Sequence, residues 1–148
     1  MRHVRIDPAE DPSTERPAGA AGVSVRERMS RPAVTVTADT PLAEALRLMA
    51  AYRIHYLPVV DGEARLVGIV NADDVLQTRR ARRPPAVVVG AVMSTPVISV
   101  GATSPLTDAM GLMADRRIGA LPVVENGRVV GILTQSDVVT AVARQESA

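Results

Sequence analysis

Two short segments hold the residues whose types and spacing could do chemistry: Thr134-Gln135-Ser136-Asp137 and Asn71-Ala72-Asp73-Asp74. Each follows an apolar run that contains a glycine, Gly131-Ile132-Leu133 and Gly68-Ile69-Val70. A capping side chain with a carboxylate three positions later is an ordinary helix start, in which both groups satisfy orphan N–H donors of the first turn. The same carboxylate can instead accept hydrogen bonds from two vicinal hydroxyls, as on a ribose. The glycine before it would let a flat ligand approach the backbone. Covalent chemistry has less to work with. There is no cysteine, hence no thiol nucleophile, disulfide or thiolate metal site. His3 and His55 are the only histidines, too few to converge on a metal, and no nucleophile elbow surrounds any serine. No catalytic residue and no metal ligand are expected.

These segments recur because the chain repeats itself. Met29-Ser30-Arg31-Pro32 returns as Met93-Ser94-Thr95-Pro96, an offset of 64 residues (29 to 93). Thr40-Pro41-Leu42 returns as Ser104-Pro105-Leu106, and Leu57-Pro58-Val59-Val60 as Leu121-Pro122-Val123-Val124. One residue is then lost, so Asp74-Val75 matches Asp137-Val138 at an offset of 63 (74 to 137). A single slip within a turn marks two copies of one folding unit.

The elements that must position the two segments follow from local pattern. Ala33-Val34-Thr35-Val36 is a β-branched run and reads as a strand. Thr40 is placed to cap a helix with Pro41 in its first position, and Leu42, Ala45, Leu46 and Met49 recur at helical spacing. Leu57–Val60 and Leu66–Val70 read as a hairpin across Asp61-Gly62, with Pro58 at a strand start or an edge. A helix capped by Asn71 follows. The second copy predicts strand Val97–Val100, cap Ser104, helix Leu106–Met113, and strands Leu121–Val124 and Val129–Leu133 about Asn126-Gly127. A helix from Gln135 to about Arg144 completes it. The expected organisation is a mobile tail over residues 1–22, to which Val4 and Ile6 could add a short strand. Repeats over 23–78 and 89–144 then flank a basic, proline-containing linker over 79–88.

Bulk properties narrow the function classes. The chain has 148 residues, and each copy alone would bury little core, so the pair is expected to fold as partners. Hydrophobic residues make up 47%, with no Trp or Phe, so the core must be aliphatic and Met29, Met49, Met93, Met110 and Met113 read as filling for it. A net charge of +1 argues against a global nucleic-acid or membrane binder. The Arg79–Arg83 cluster is the local exception, yet no aromatic side chains interleave to stack bases. No apolar run is long enough to span a bilayer, and charges and prolines interrupt the N-terminal stretch where a signal peptide would need an apolar core. A cytoplasmic protein without membrane association is expected.

Taken in order and twice, Met-Ser-x-Pro, the Pro-Leu helix opening, Leu-Pro-Val-Val and the terminal x-x-Asp segment resemble a stand-alone tandem pair of CBS (cystathionine-β-synthase-type) domains, over about Val25 to Ala143. The resemblance implies an α+β fold of two β-α-β-β-α repeats packed about a pseudo-two-fold axis, with clefts that take adenosine compounds such as AMP, ADP, ATP or S-adenosylmethionine, none bound covalently. It assigns Ile132, Thr134, Ser136 and Asp137 to one cleft with Ser30, Pro32, Val34, Ile54, His55 and Tyr56. It assigns Ile69, Asn71 and Asp74 to a second, weaker cleft with Ser94, Pro96, Ile98, Ile118, Gly119 and Ala120. Asp73 stands there where the first cleft has Ser136, and Gly119 where it has His55, a partner for a phosphate. The resemblance further implies a homodimer with Leu46, Leu112 and Met113 on core or dimer faces, and an unknown downstream protein. The function so read is a regulatory sensor without catalysis. Its rivals are a ligand-independent scaffold and a nucleic-acid-associated regulator using Arg79–Arg83.

Overall fold

Each Leu-Pro-Val-Val run forms a strand around which its surroundings organise. The computed structural model describes residues 4–5, 22–80 and 87–147. In chain order the elements are β1 (Val4–Arg5), α1 (Val25–Arg28), α2 (Leu42–Tyr52), β2 (Tyr56–Val60), β3 (Leu66–Asn71), α3 (Ala72–Arg80), β4 (Ile98–Gly101), α4 (Leu106–Arg116), β5 (Ala120–Glu125), β6 (Arg128–Thr134) and α5 (Gln135–Ser147), with a 3-10 turn at Val89–Ala91 before β4. The fold is α+β. It divides into two compact units, one built on Ala33–Val97 and the other on Ile98–Ala148 together with the segment ending at Pro32. Apart from Val4, Arg5 and Gly22, the expected tail lies outside the described residues, as do residues 81–86 of the expected linker.

In the first unit β2 and β3 pair antiparallel, Leu57 opposite Val70 and Val59 opposite Gly68, with a bulge that leaves Val60 opposite Leu66. The strand expected over Ala33–Val36 is reduced to a single parallel bridge from Val36 to Val59. The chain turns at once beyond it, Thr40 N–H bonding Thr37 O at 3.1 Å, so only Val36 stays alongside β2. Thr40 does not cap α2 as expected. Its hydroxyl accepts the Thr37 N–H at 3.1 Å within that turn, and Pro41 takes the N-cap position. Helix α2 lays Leu42, Ala45 and Met49 on a core of Leu57, Val59, Val70 and Val75. It ends at Arg53, held in the left-handed region at φ 55°.

The second unit repeats this plan with a fuller sheet, in the order β1-β4-β5-β6. Strand β4 runs parallel to β5, Val100 opposite Val123, and β5 runs antiparallel to β6. Pro58 sits inside β2, an edge strand of the two-stranded β2–β3 sheet, as expected, whereas its counterpart Pro122 sits inside β5, an interior strand. The missing N–H is tolerated at Pro122 because pairing with β4 begins one residue later, at Val123. The β5–β6 turn has Asn126 at φ 52° and Gly127 at φ 80°, the positive pair that a tight Asn-Gly hairpin requires. The one-residue slip between the copies lies here, since Val124 faces Val129 where Val60 faces Leu66.

The compact units do not follow the order of the sequence copies. Val25, which opens the first copy, is fully buried in the second unit's core with Leu106, Leu121 and Leu133. Val89, its counterpart 64 residues on, is fully buried in the first unit's core with Leu42, Leu57 and Val70. Backbone bonds fix both segments: Val25 N–H to Ser104 O at 2.8 Å, and Val89 N–H to Thr40 O at 2.8 Å. Burial of each valine side chain stabilises its unit by ~1.5–3 kcal/mol. Each sheet is thus closed by the opening segment of the other copy.

Candidate ligand-binding site

The end of β6 and the start of α5 place Thr134 and Asp137 one helical turn apart. Thr134 donates its N–H to Asp137 Oδ2 at 2.9 Å and its hydroxyl to the same oxygen at 3.1 Å, while Asp137 N–H reaches Thr134 Oγ1 at 3.3 Å. The reciprocal bonds make this a capping box, which holds the carboxylate rigidly at the strand end. The α5 start is tied down further by Gln135 N–H to Gly119 O at 3.0 Å.

The Met29-Ser30 segment lies against the same strand. Ser30 N–H bonds Ile132 O at 2.8 Å, and Ile132 N–H bonds Ser30 O at 3.0 Å. This places the Ser30 hydroxyl on Asp137, 3.1 Å from Oδ1 and 3.3 Å from Oδ2. Gly131 has a specific role in that approach. A Cβ built on it would stand 2.6 Å from Met29 Sδ and 3.0 Å from Ser30 O. The glycine expected to admit a flat ligand admits Met29 instead.

The first unit repeats the frame with different side chains. Ser94 N–H bonds Ile69 O at 2.8 Å, and Ile69 N–H bonds Ser94 O at 3.2 Å. Ala72 N–H bonds His55 O at 2.8 Å, and a Cβ on Gly68 would stand 2.6 Å from Met93 Sδ. Asn71 caps α3 as expected, its Oδ1 accepting Asp74 N–H at 2.9 Å. Asp73 is exposed in the first turn. Among the described residues no hydrogen bond joins Ser94 to Asp74, so the serine contact on Asp137 has no counterpart there.

The residues assigned by the resemblance are distributed as follows. Ser30, Ile132, Thr134 and Asp137 are joined by the bonds above in the second unit, which also holds Pro32 and the exposed Ser136. Val34, Ile54, His55 and Tyr56 belong to the first unit, where Val34 and Ile54 pack on its core and His55 is exposed. Ile69, Asn71, Asp74, Ser94 and Pro96 share that unit, and Tyr56 pairs with Asn71. Ile98, Ile118, Gly119 and Ala120 lie in the second unit, with Ile98 and Ile118 against its core and Ala120 opposite Thr134. Sequence reasoning missed the part played by Met29 and Met93, which it read as plain core filling. The signal was present, since a methionine opens each copy and a glycine precedes each terminal segment, Met29 and Gly68 in the first copy and Met93 and Gly131 in the second. Among the described residues no cluster of three His, Asp or Glu side chains could hold a metal, and no helix is long and apolar enough to cross a membrane.

The CBS domain family model matches residues 25–80 and 89–144. A CBS domain-containing protein of Dictyostelium discoideum is 32% identical over 132 residues, covering 78% of this chain and 88% of its own length. Among solved structures, a CBS domain pair in complex with 5′-methylthioadenosine and S-adenosyl-L-methionine superposes with a TM-score of 0.77 at 26% identity, covering 83% of this chain and 98% of the other. A second protein, solved in complex with AMP, has a TM-score of 0.73 at 30% identity and covers 84% of this chain and 99% of the other.

Proposed function

The chain belongs to the CBS-domain family, and from that premise we propose that it is a regulatory module that binds an adenosine-containing ligand and catalyses no reaction. The observation that carries this reading is the Asp137 carboxylate, fixed at the start of α5 by Thr134 and reached from another segment, among the described residues, by the Ser30 hydroxyl alone. A carboxylate so held is suited to a ribose diol, and the related domain pairs solved with AMP, methylthioadenosine and S-adenosylmethionine all present a ribose. The proposed ligand-contacting residues are Ile132, Thr134, Ser136 and Asp137, with Pro32, Val34, Ile54, His55 and Tyr56 contributed on the family pattern; Ser30 adjoins them through its hydroxyl on Asp137. The Asn71–Asp74 site is the weaker one for a phosphorylated ligand, because Asp73 adds a second carboxylate next to Asp74.

The test is a thermal-shift panel of adenosine, AMP, ADP, ATP and S-adenosylmethionine, with GMP as the control. A ligand that binds only the folded state must raise the melting temperature, by an amount that grows with the logarithm of its excess over Kd. The reading expects at least one adenosine compound to do so and GMP to do so less. Flat curves for the whole panel at millimolar ligand would favour the scaffold reading.

Assembly belongs to the same proposal. Met113 is buried, and Leu46 and Leu112 pack on the cores, so these three serve the interior. Leu76 on α3 and Val139 on α5, at equivalent repeat positions, are 46% and 67% exposed. Each is the exposed apolar position of its own helix and is offered for contact with a second chain in a homodimer, and light scattering at micromolar concentration should give twice the chain mass; a monomer mass would exclude it.

A further inference from the structure

We propose that Ser30 is an internal competitor for the ligand's ribose, holding the Asp137 carboxylate until a diol displaces it. This rests on the reading of Asp137 as the ribose acceptor. Two of the three groups on Asp137 belong to the capping box: Thr134 N–H and Thr134 Oγ1 both converge on Oδ2. The third is the Ser30 hydroxyl, which lies within 3.3 Å of both carboxylate oxygens. A donor shared between the two oxygens occupies the outer edge of the carboxylate, where a vicinal diol would bond one hydroxyl to each oxygen. Oδ1 has no other donor among the described residues. The two occupancies therefore exclude one another.

Ser30 is built to yield without unfolding. Its backbone is held to Ile132 through both its N–H and its carbonyl, and the neighbouring Met29 sulfur is seated over Gly131, so the segment stays docked whichever way the hydroxyl points. The residue is exposed, so a displaced hydroxyl can turn to water. Only a side-chain rotation separates the closed from the open carboxylate, and such rotation is fast for an exposed side chain. The first unit lacks the equivalent bond, so the device belongs to the Asp137 site alone. Its effect is to set a threshold: ligand must outcompete a contact that is always at hand.

Calorimetry on the full chain tests this with adenosine and 2′,3′-dideoxyadenosine as probes, using wild type, Ser30→Ala and Asp137→Asn. Removing a competing hydrogen bond of ordinary strength should tighten adenosine binding by roughly threefold to tenfold in Ser30→Ala. The dideoxy compound has no diol to compete, so its affinity should be the same for wild type and Ser30→Ala. A gain for both ligands alike would show a general change in the site and overturn the competition. Unchanged or weaker adenosine binding by Ser30→Ala, while Asp137→Asn loses affinity, would overturn it too and leave the ribose reading standing. Unchanged adenosine binding by Asp137→Asn would overturn the ribose reading itself.

Discussion

Met29 and Gly131 meet at the point where a side chain on the glycine would begin, with the sulfur 2.6 Å from the place a Cβ would occupy. The same meeting recurs between Met93 and Gly68, again at 2.6 Å. The two glycines are thus kept free of side chains so that the opening segment of one copy can lie flat on the second hairpin strand of the other. The surroundings differ in one respect. At Gly131 the Ser30 carbonyl also lies 3.0 Å from the Cβ position, whereas at Gly68 the three nearest atoms all belong to the Met93 side chain.

Alanine at either glycine should separate those two cases. Gly68→Ala meets first a flexible thioether side chain, which can rotate away, and should destabilise by about 1 kcal/mol or less. Gly131→Ala also meets the Ser30 carbonyl and must shift that backbone by a few tenths of an ångström against its bonds to Ile132, at about 2–3 kcal/mol. Urea denaturation of the two variants should rank them in that order, and a larger loss for Gly68→Ala would contradict the account.

Asp137→Asn should lower affinity for AMP by ~1–3 kcal/mol, since the diol loses its charged acceptor. The fold should survive, because an amide oxygen can still accept the Thr134 N–H that now bonds the carboxylate at 2.9 Å. Calorimetry and a melting curve on the same preparation check both halves. Unchanged affinity would remove Asp137 from the ligand.

The hairpins, their turns and both interior helix starts were legible in the sequence because each depends on neighbours along the chain. Asn126-Gly127, Asn71 and Thr134 with Asp137 act within a few residues of themselves. The closing of each sheet by the other copy was not legible in the residues themselves, because Val25 and Val89 look alike and either could have packed in its own repeat; only the family resemblance grouped Ser30 with Asp137 and Ser94 with Asp74. The Ser30 bond to Asp137 spans 107 positions and depends on that exchange. Thr40 misled because a hydroxyl before Pro-Leu suits a cap, while the tight turn from Thr37 claims it first. The glycines misled for a similar reason: an open side-chain position says that something comes close, not what.

Val25 and Val89 provide the direct test of the exchanged segments. Each is fully buried, and truncation to alanine should cost about 1–2.5 kcal/mol through lost contacts and the cavity left behind. The location of the damage is the informative part. Hydrogen exchange in Val25→Ala should rise first in β5 and β6, which follow it in sequence by about a hundred residues, and in Val89→Ala it should rise first in β2 and β3. Damage to each variant's own copy would refute the exchange.

The β2–β3 turn makes a prediction about acid. Asp61 Oδ1 accepts the N–H groups of Glu63 at 2.8 Å and Arg65 at 3.0 Å, and Oδ2 accepts Arg65 Nε at 3.1 Å. These bonds favour the charged form and hold the Asp61 carboxyl below its ordinary value of 3.8, the two backbone donors being the main cause and the Arg65 guanidinium a smaller one. A depressed folded value means that the native chain binds fewer protons here than the unfolded chain. The stabilisation is therefore complete above the ordinary aspartate value, and it fades as pH falls through that value towards the lower folded one. Asp61→Ala removes the acceptor at every pH and leaves the turn, with Ala64 at φ 64°, to the backbone bonds Ala64 N–H to Asp61 O and Asp61 N–H to Arg65 O, both 3.0 Å. Wild type should melt above Asp61→Ala at neutral pH, with the gap narrowing steadily below about pH 4. Because the side chain is solvent-accessible, added salt should shrink the Arg65 share of the gap while leaving most of the backbone share. A gap between the two proteins that stays constant from pH 7 to pH 3 would show that the ionised Asp61 does not organise this turn.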